Sequence, residues 1–214
     1  MRYIQFIPPT KCLFCQKDKL HNSSLLYYLV NDDDLCECCR KQLEYAPIKV
    51  KLHGVEIRSY YRYNDTLKSL ILQYKECYDE ALKDVFFYDL KWKLRLKYYD
   101  YIIVICPSSK SNLERRGFNH LYLMCASIGL KIEDILYKKE DLSQNNLNYQ
   151  ARAKMIGNIA LKDGAVPPPK ILLIDDILTT GSTIVGAYRA LKTAENIVIP
   201  ITLSFVTGLG HSKL

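Results

Sequence analysis

No apolar run in this 214-residue chain approaches the about 18 residues that cross a bilayer, which excludes insertion as a membrane helix. The N-terminal stretch MRYIQFIPPTKC has only Arg2 ahead of a short apolar patch that Pro8 and Pro9 interrupt, and it lacks a small-residue cleavage site. It does not read as an export signal, so a cytoplasmic location is expected. Internal repeats and extended low-complexity tracts are missing too. What remains is a composition of 49% hydrophobic and 25% charged residues, that of a soluble globular chain. Its length suits one ordinary domain plus a small appendage.

The chain also lacks a basic block. Its formal charge of +7 is spread along the sequence, so contact with nucleic acid is permitted but not demanded. The densest basic run is Lys91–Lys97 (KWKLRLK), followed by Tyr98 and Tyr99. Cations interleaved with aromatics suit single strands by charge and stacking. The plainer expectation is an amphipathic element with solvated lysines and with Trp92, Leu94 and Leu96 packed. The 17 tyrosines are scattered, as amphipathic packing residues are.

Cysteine is abundant. Eight cysteines without an export signal argue against a disulfide framework, and their spacing argues for metal. Cys12-Leu-Phe-Cys15 and Cys36-Glu-Cys-Cys39 form two CxxC knuckles at the upper end of structural zinc spacing. Four thiolates close a tetrahedral Zn²⁺ site and leave no position open for catalysis, so the zinc is expected to be structural. It would supply folding energy to a segment too small to bury a core. Cys38 could replace Cys36 or Cys39, although the spacing favours the latter two. His21 reads as a surface residue, and Cys77, Cys106 and Cys125 as packed thiols.

The stretch Ile171–Thr183, ILLIDDILTTGST, carries the most chemistry. Ile171–Ile174 has the uninterrupted apolar character of a buried parallel strand, and the residues after Gly181 space as a helix. Between them, Asp175 and Asp176 precede a small hydroxyl-rich loop, Thr179, Thr180, Gly181, Ser182 and Thr183. Carboxyl ends of parallel strands hold ligands, and a helix N-terminus there offers N–H groups to an anion. Hydroxyls and a glycine suit a phosphate, and paired carboxylates suit a sugar diol or a hydrated divalent cation. Together they imply a sugar phosphate. The loop lacks the lysine of a Walker A motif. The string resembles the phosphoribosyl-pyrophosphate (PRPP) signature of type I phosphoribosyltransferases.

Elsewhere, Pro47 and Gly54 bracket a linker, and Val55–Tyr63 reads as a strand. Asn64 starts a helix whose apolar face is Leu67, Leu70, Ile71 and Tyr74. A second helix is expected over about Asp79–Leu96. Tyr101–Cys106 reads as a central parallel strand that ends in Pro107, Ser108, Ser109 and Lys110. Leu113–Asn119 (LERRGFN) follows, then a helix to about Gly129. Lys110, Arg115 and Arg116 after a strand end form a cationic site for a polyanion such as pyrophosphate. Asp141–Gln150 reads as a loop and Tyr149–Ile156 as a short helix. Val166–Pro169 breaks structure, Ile197–Val206 is a last strand, and Gly208–Leu214 a tail.

Taken in order, the zinc knuckles, the RRGFN string (Arg115–Asn119) and IDDILTTGST resemble the ComF family over nearly the whole chain. Gln144, Leu147 and Arg152 match a further family segment. His120 stands where glutamine is usual, and Met155 where asparagine is. The resemblance implies a zinc-ribbon-like module over 1–50 and a phosphoribosyltransferase-like domain over 51–214, with a hood within 51–98. That fold is a mostly parallel sheet with flanking helices. It also implies that Asp175 and Asp176 contact ribose hydroxyls and the Mg²⁺ shell, and that Thr179–Thr183 hold the 5′-phosphate. Pro107–Lys110, with Arg115 or Arg116, would contact pyrophosphate. Two functions fit. One is a competence factor that binds PRPP with Mg²⁺ and acts, with the DNA-uptake machinery, on imported single-stranded DNA. The other is a phosphoribosyltransferase joining PRPP to a base or amine.

Overall fold

The computed structural model describes residues 10–139, 158–207 and 212–213. The chain opens with helices α1 (Leu25–Val30) and α2 (Glu37–Lys41), then hairpin strands β1 (Tyr45–Leu52) and β2 (Val55–Arg62). Next come α3 (Asp65–Glu76), a 3₁₀ turn (Glu80–Asp84), α4 (Lys91–Lys97), β3 (Ile102–Ile105), α5 (Lys110–Arg116) and α6 (His120–Ala126). The short strands β4 (Ile132–Glu133), β5 (Leu136–Lys138) and β6 (Ile159–Leu161) precede β7 (Lys170–Leu178), α7 (Ser182–Leu191), β8 (Ile197–Phe205) and β9 (Ser212–Lys213).

Seven strands form one sheet in the order β4-β3-β7-β8-β2-β1-β9, and β5 pairs with β6 separately. β4, β3, β7, β8 and β2 run parallel, whereas at one edge β1 pairs antiparallel with β2 and β9 pairs antiparallel with β1. The fold is thus a mostly parallel sheet with flanking helices, as expected. Ile171–Ile174 on β7 and Ile103–Ile105 on β3 are fully buried, which is why these runs show no polar alternation. α3 starts where Asn64 accepts from the Leu67 N–H, and its face of Leu67, Leu70, Ile71 and Tyr74 is buried throughout.

Several expectations are corrected. Residues 45–52 are no linker but strand β1, turned into β2 through His53 and Gly54, both at positive φ. The single helix expected over Asp79–Leu96 is a 3₁₀ turn and the short α4. The consecutive residues Val85, Phe86 and Phe87 are all buried, which one helix face cannot achieve. On α4 only Leu94 packs, while Trp92 is 62% and Leu96 75% exposed. Cys77 is exposed, unlike the buried Cys106 and Cys125. Ser212–Lys213 pairs with β1 instead of trailing as a tail. The loop expected at Asp141–Gln150, the helix at Tyr149–Ile156, and Gln144, Leu147, Arg152 and Met155 lie outside the described residues. Among the described residues no helix is long and apolar enough to cross a membrane.

Candidate functional site

Two clusters of chemically capable side chains stand out. The first is the cysteine module. Cys12 and Cys15 sit on a tight turn in which the Gln16 N–H donates to the Cys12 carbonyl (2.9 Å). Cys36 is the N-cap of α2, which places Cys39 one turn along on the same side. The Leu13 N–H donates to the Asp34 carbonyl (3.0 Å) and joins the two knuckles. The four sulfurs lie within 4.8 Å of one another, with Cys15 Sγ and Cys36 Sγ 3.9 Å apart. A tetrahedral zinc with Zn–S near 2.3 Å sets its sulfurs about 3.8 Å apart, so the donor set fits that ion. Cys38 is exposed and outside the cluster, which settles the choice in favour of Cys36 and Cys39. His21 is exposed.

A buried ion pair anchors the module to the rest of the chain. Arg40 makes a bidentate contact to Asp33, Nε to Oδ2 and Nη2 to Oδ1, each 2.6 Å. Its Nη1 donates to the Val85 carbonyl at 2.9 Å. Asp33 further accepts from the Tyr27 hydroxyl (2.5 Å) and the Leu35 N–H (3.1 Å), so the buried carboxylate is well satisfied.

The second cluster fills a pocket of about 220 Å³ at the carboxyl ends of β3 and β7, lined by Lys75, Ser108, Arg116, His120, Asp175 and Asp176 among others. The two aspartates lie within β7 and not beyond it: Asp175 is in register with Thr202 of β8. The ladder therefore holds their backbone rigidly. The Asp176 carboxylate accepts from the Ile177 N–H (2.8 Å) and pairs with the Lys75 ammonium. Burial pushes the Asp175 carboxyl up to about 6, against the pull of Lys75 and Lys138. Burial likewise pulls Lys75 down to about 8, opposed by Asp175 and reinforced by Arg116.

His120 bridges the charges. Its Nδ1 lies 3.4 Å from Arg116 Nη1 and its Nε2 3.5 Å from Asp176 Oδ2. Burial, then Lys75 and Arg116, push it down to about 2, so the ring is neutral. A neutral imidazole protonated at Nε2 fits both contacts, accepting from Arg116 and facing Asp176 with its N–H. Arg116 is 9% exposed and also pairs with Glu76 at 3.1 Å. Its Nε is buried with no hydrogen-bond partner among the described residues. Arg116 lines the pocket, and a buried, unmatched guanidinium N–H is costly.

The residues picked out from sequence divide between places. Pro107, Ser108, Ser109, Arg116, Asp175, Asp176 and Thr183 line this pocket together. Lys110 lines a neighbouring cavity of about 470 Å³ that shares Pro107 and Ser108. Arg115 is exposed and held by Glu76 at 3.0 Å. Thr179 and Thr180 are exposed, and of the Thr179–Thr183 loop only Thr183 lines the pocket. Gly181 caps α7 at φ +75°, which favours glycine, and a Cβ there would also push the Leu52 side chain aside, its Cδ1 lying at 2.7 Å. The Thr180 hydroxyl lies 2.9 Å from that of Ser182. Lys75, Asn112, His120 and Lys138 line the pocket too but were not singled out as site residues. The one available signal for Lys75 is its place four residues after buried Ile71, on the edge of the packed face of α3.

A mostly parallel sheet thus carries a carboxylate pair and a hydroxyl-rich helix start at its strand ends, and the same chain carries a four-cysteine module. Solved structures that overlap it include the hypoxanthine phosphoribosyltransferase of Staphylococcus aureus, 16% identical, TM-score 0.41, covering 63% of this chain and 69% of that one. The adenine phosphoribosyltransferase of Saccharomyces cerevisiae is 13% identical, TM-score 0.44, covering 80% and 90%. No family model matches the chain. Among curated proteins, competence protein ComFC of Streptococcus pneumoniae is 32% identical over 208 residues, 86% of this chain and 94% of its relative. Competence protein ComFC of Bacillus subtilis is 24% identical over 210 residues, 84% and 88%. The chain belongs to the ComFC family.

Proposed function

We propose that this chain is a competence protein that binds PRPP with Mg²⁺ and acts in the cytoplasmic handling of imported single-stranded DNA. The observation that carries the ligand assignment is Arg116: a buried guanidinium with an unmatched Nε, facing paired carboxylates across one small pocket. An anion beside a diol or a cation matches both walls, and a sugar diphosphate with its Mg²⁺ provides all three. In this reading Asp175 and Asp176 take the ribose hydroxyls and the Mg²⁺ shell, and the Thr179–Thr183 loop takes the 5′-phosphate. Pro107–Lys110 and Arg116 take the pyrophosphate, with Arg115 outside at the surface. Mg²⁺ would supply charge neutralisation to the diphosphate. Lys75 pairs with Asp176, so binding exchanges an internal cation for the ligand. The ComFC relationship supports the competence role. The zinc at Cys12, Cys15, Cys36 and Cys39 is structural in this reading, and the module over 1–50 precedes the PRPP-binding domain over 51–214.

Calorimetric titration of PRPP with Mg²⁺ tests the ligand, with binding expected for the wild type and lost in Asp176→Ala. Pyrophosphate release with a panel of purines, pyrimidines and amines separates this reading from a phosphoribosyltransferase; release with any of them would favour the enzyme. Deleting the gene is expected to abolish transformation without causing a nucleotide requirement.

A further inference from the structure

A shallow groove of about 200 Å³ runs between the β1–β2 hairpin and α4, away from the strand-end pocket. Its walls carry Arg58 from β2 and Lys93 and Lys97, one turn apart on α4. No carboxylate lines it, and among the described residues none of the three cations is in an ion pair. Lys97 is pulled below the usual lysine value by its partial burial and then by Arg58, Lys93 and Lys49. Cations crowded without a counter-charge cost free energy that an arriving anion offsets.

The floor of the groove is aromatic. Tyr45 is 48% exposed and stands edge-on to buried Tyr61, ring centroids 5.6 Å apart, which fixes its ring. Lys93 Nζ lies 6.0 Å from the Tyr45 centroid and 3.4 Å from its hydroxyl. Arg58 Nη1 donates to the Tyr98 hydroxyl at 2.9 Å, and Lys97 Nζ sits 5.5 Å from the Tyr98 centroid. Lys93 and Lys97 are exposed, so their ammonium groups are open to an arriving anion while each stays near a tyrosine ring.

We propose that this groove, with Tyr45, Arg58, Lys93 and Lys97 as its contacts, is a binding surface for single-stranded nucleic acid. An exposed ring takes the face of one unpaired base while the adjacent cations take the flanking phosphates. A duplex hides its base faces, so it could use only the charges. The inference deepens the DNA-handling part of the function above and rests on it, and it uses no residue of the PRPP pocket.

The test is fluorescence anisotropy of labelled oligothymidylate and oligouridylate, each about 20 nucleotides, with the full-length zinc-loaded protein across a salt series. The double variant Lys93→Ala/Lys97→Ala is expected to bind about tenfold more weakly at low salt. Its log–log salt slope should shrink by about 1.4, the loss of two single-strand phosphate contacts. Tyr45→Ala should weaken binding about tenfold with the slope unchanged, and Tyr45→Phe should restore it. Preference for the deoxy strand identifies DNA as the natural partner, and equal binding of both strands still supports the surface.

Wild-type binding that all these variants share would overturn the inference and leave the DNA-handling role intact. No wild-type binding to either strand would overturn both, while PRPP calorimetry would still judge the pocket. Equal competition by polyglutamate together with a silent Tyr45→Ala would make the groove a general polyanion surface and overturn the assignment to nucleic acid.

Discussion

The cysteine module and the strand-end pocket gather ligating side chains in opposite ways. The module converges four groups of one kind, the thiols of Cys12, Cys15, Cys36 and Cys39, supplied by a tight turn and the first turn of a helix. Thiolates repel one another, so the arrangement is stable only around an ion that satisfies all four. The pocket converges groups of both signs, from α3, α5, α6 and β7. These satisfy one another: Lys75 covers Asp176, Glu76 covers Arg115 and Arg116, and His120 lies between Arg116 and Asp176. One region's sulfurs call for an ion among them, whereas the other's charges already pair internally, so any ligand there would have to displace those partners.

Zinc removal should separate the two most sharply. Structural zinc contributes on the order of 10 kcal/mol to small modules. Chelation, or Cys39→Ser, is therefore expected to open the segment from about residue 10 to the start of β1 to proteases while the parallel sheet persists by circular dichroism. Cooperative loss of both would break the comparison. Next in size is Arg40→Ala, which strands the buried Asp33 carboxylate at the joint between the regions. A destabilisation of about 3–5 kcal/mol is expected in denaturant titrations. A change under 1 kcal/mol would show that the joint does not hold the module.

In the pocket the expected effects shift from folding to binding. Arg116→Ala should weaken PRPP binding about 10–100-fold, the size of a lost charge-assisted hydrogen bond, with little change in melting temperature. A large stability loss instead would make Arg116 a structural residue. Gly181→Ala should cost about 1–2 kcal/mol of stability, because alanine must adopt φ +75° and press on Leu52. The smallest expected effect is an acid limb. The Asp175 carboxyl is pushed up to about 6 by burial, and only its ionised form receives a diol or a cation. PRPP affinity should thus fall as pH drops below about 6 and level off above it.

Much of this contrast was legible in the chain because local spacing encodes it. The CxxC knuckles show themselves within four residues each. The phase of Leu67, Leu70, Ile71 and Tyr74 marks the buried face of α3, and the uninterrupted ILLI run marks a strand covered on both sides. Residues whose role depends on tertiary juxtaposition left no such trace. Lys75 and Asp176 are separated by 101 positions and meet because α3 ends above the carboxyl end of β7. Pro47 suggested a linker, yet it falls where the β1–β2 register shifts between Tyr45 and Ile48, an irregularity that tolerates proline. The run KWKLRLK has the alternation of a packed element, but α4 is one short helix with only Leu94 at the core. That leaves Trp92 and Leu96 outside and turns Lys93 toward Tyr45 and Lys97 toward Tyr98.

The central claim is that the pocket exchanges its internal cation for a sugar diphosphate, and calorimetry on three proteins tests it most directly. Wild type should bind PRPP with Mg²⁺, Asp176→Ala should lose that binding, and Lys75→Met should bind more tightly in the Mg²⁺-dependent part because Asp176 is already released. Equal affinity in all three would contradict the account.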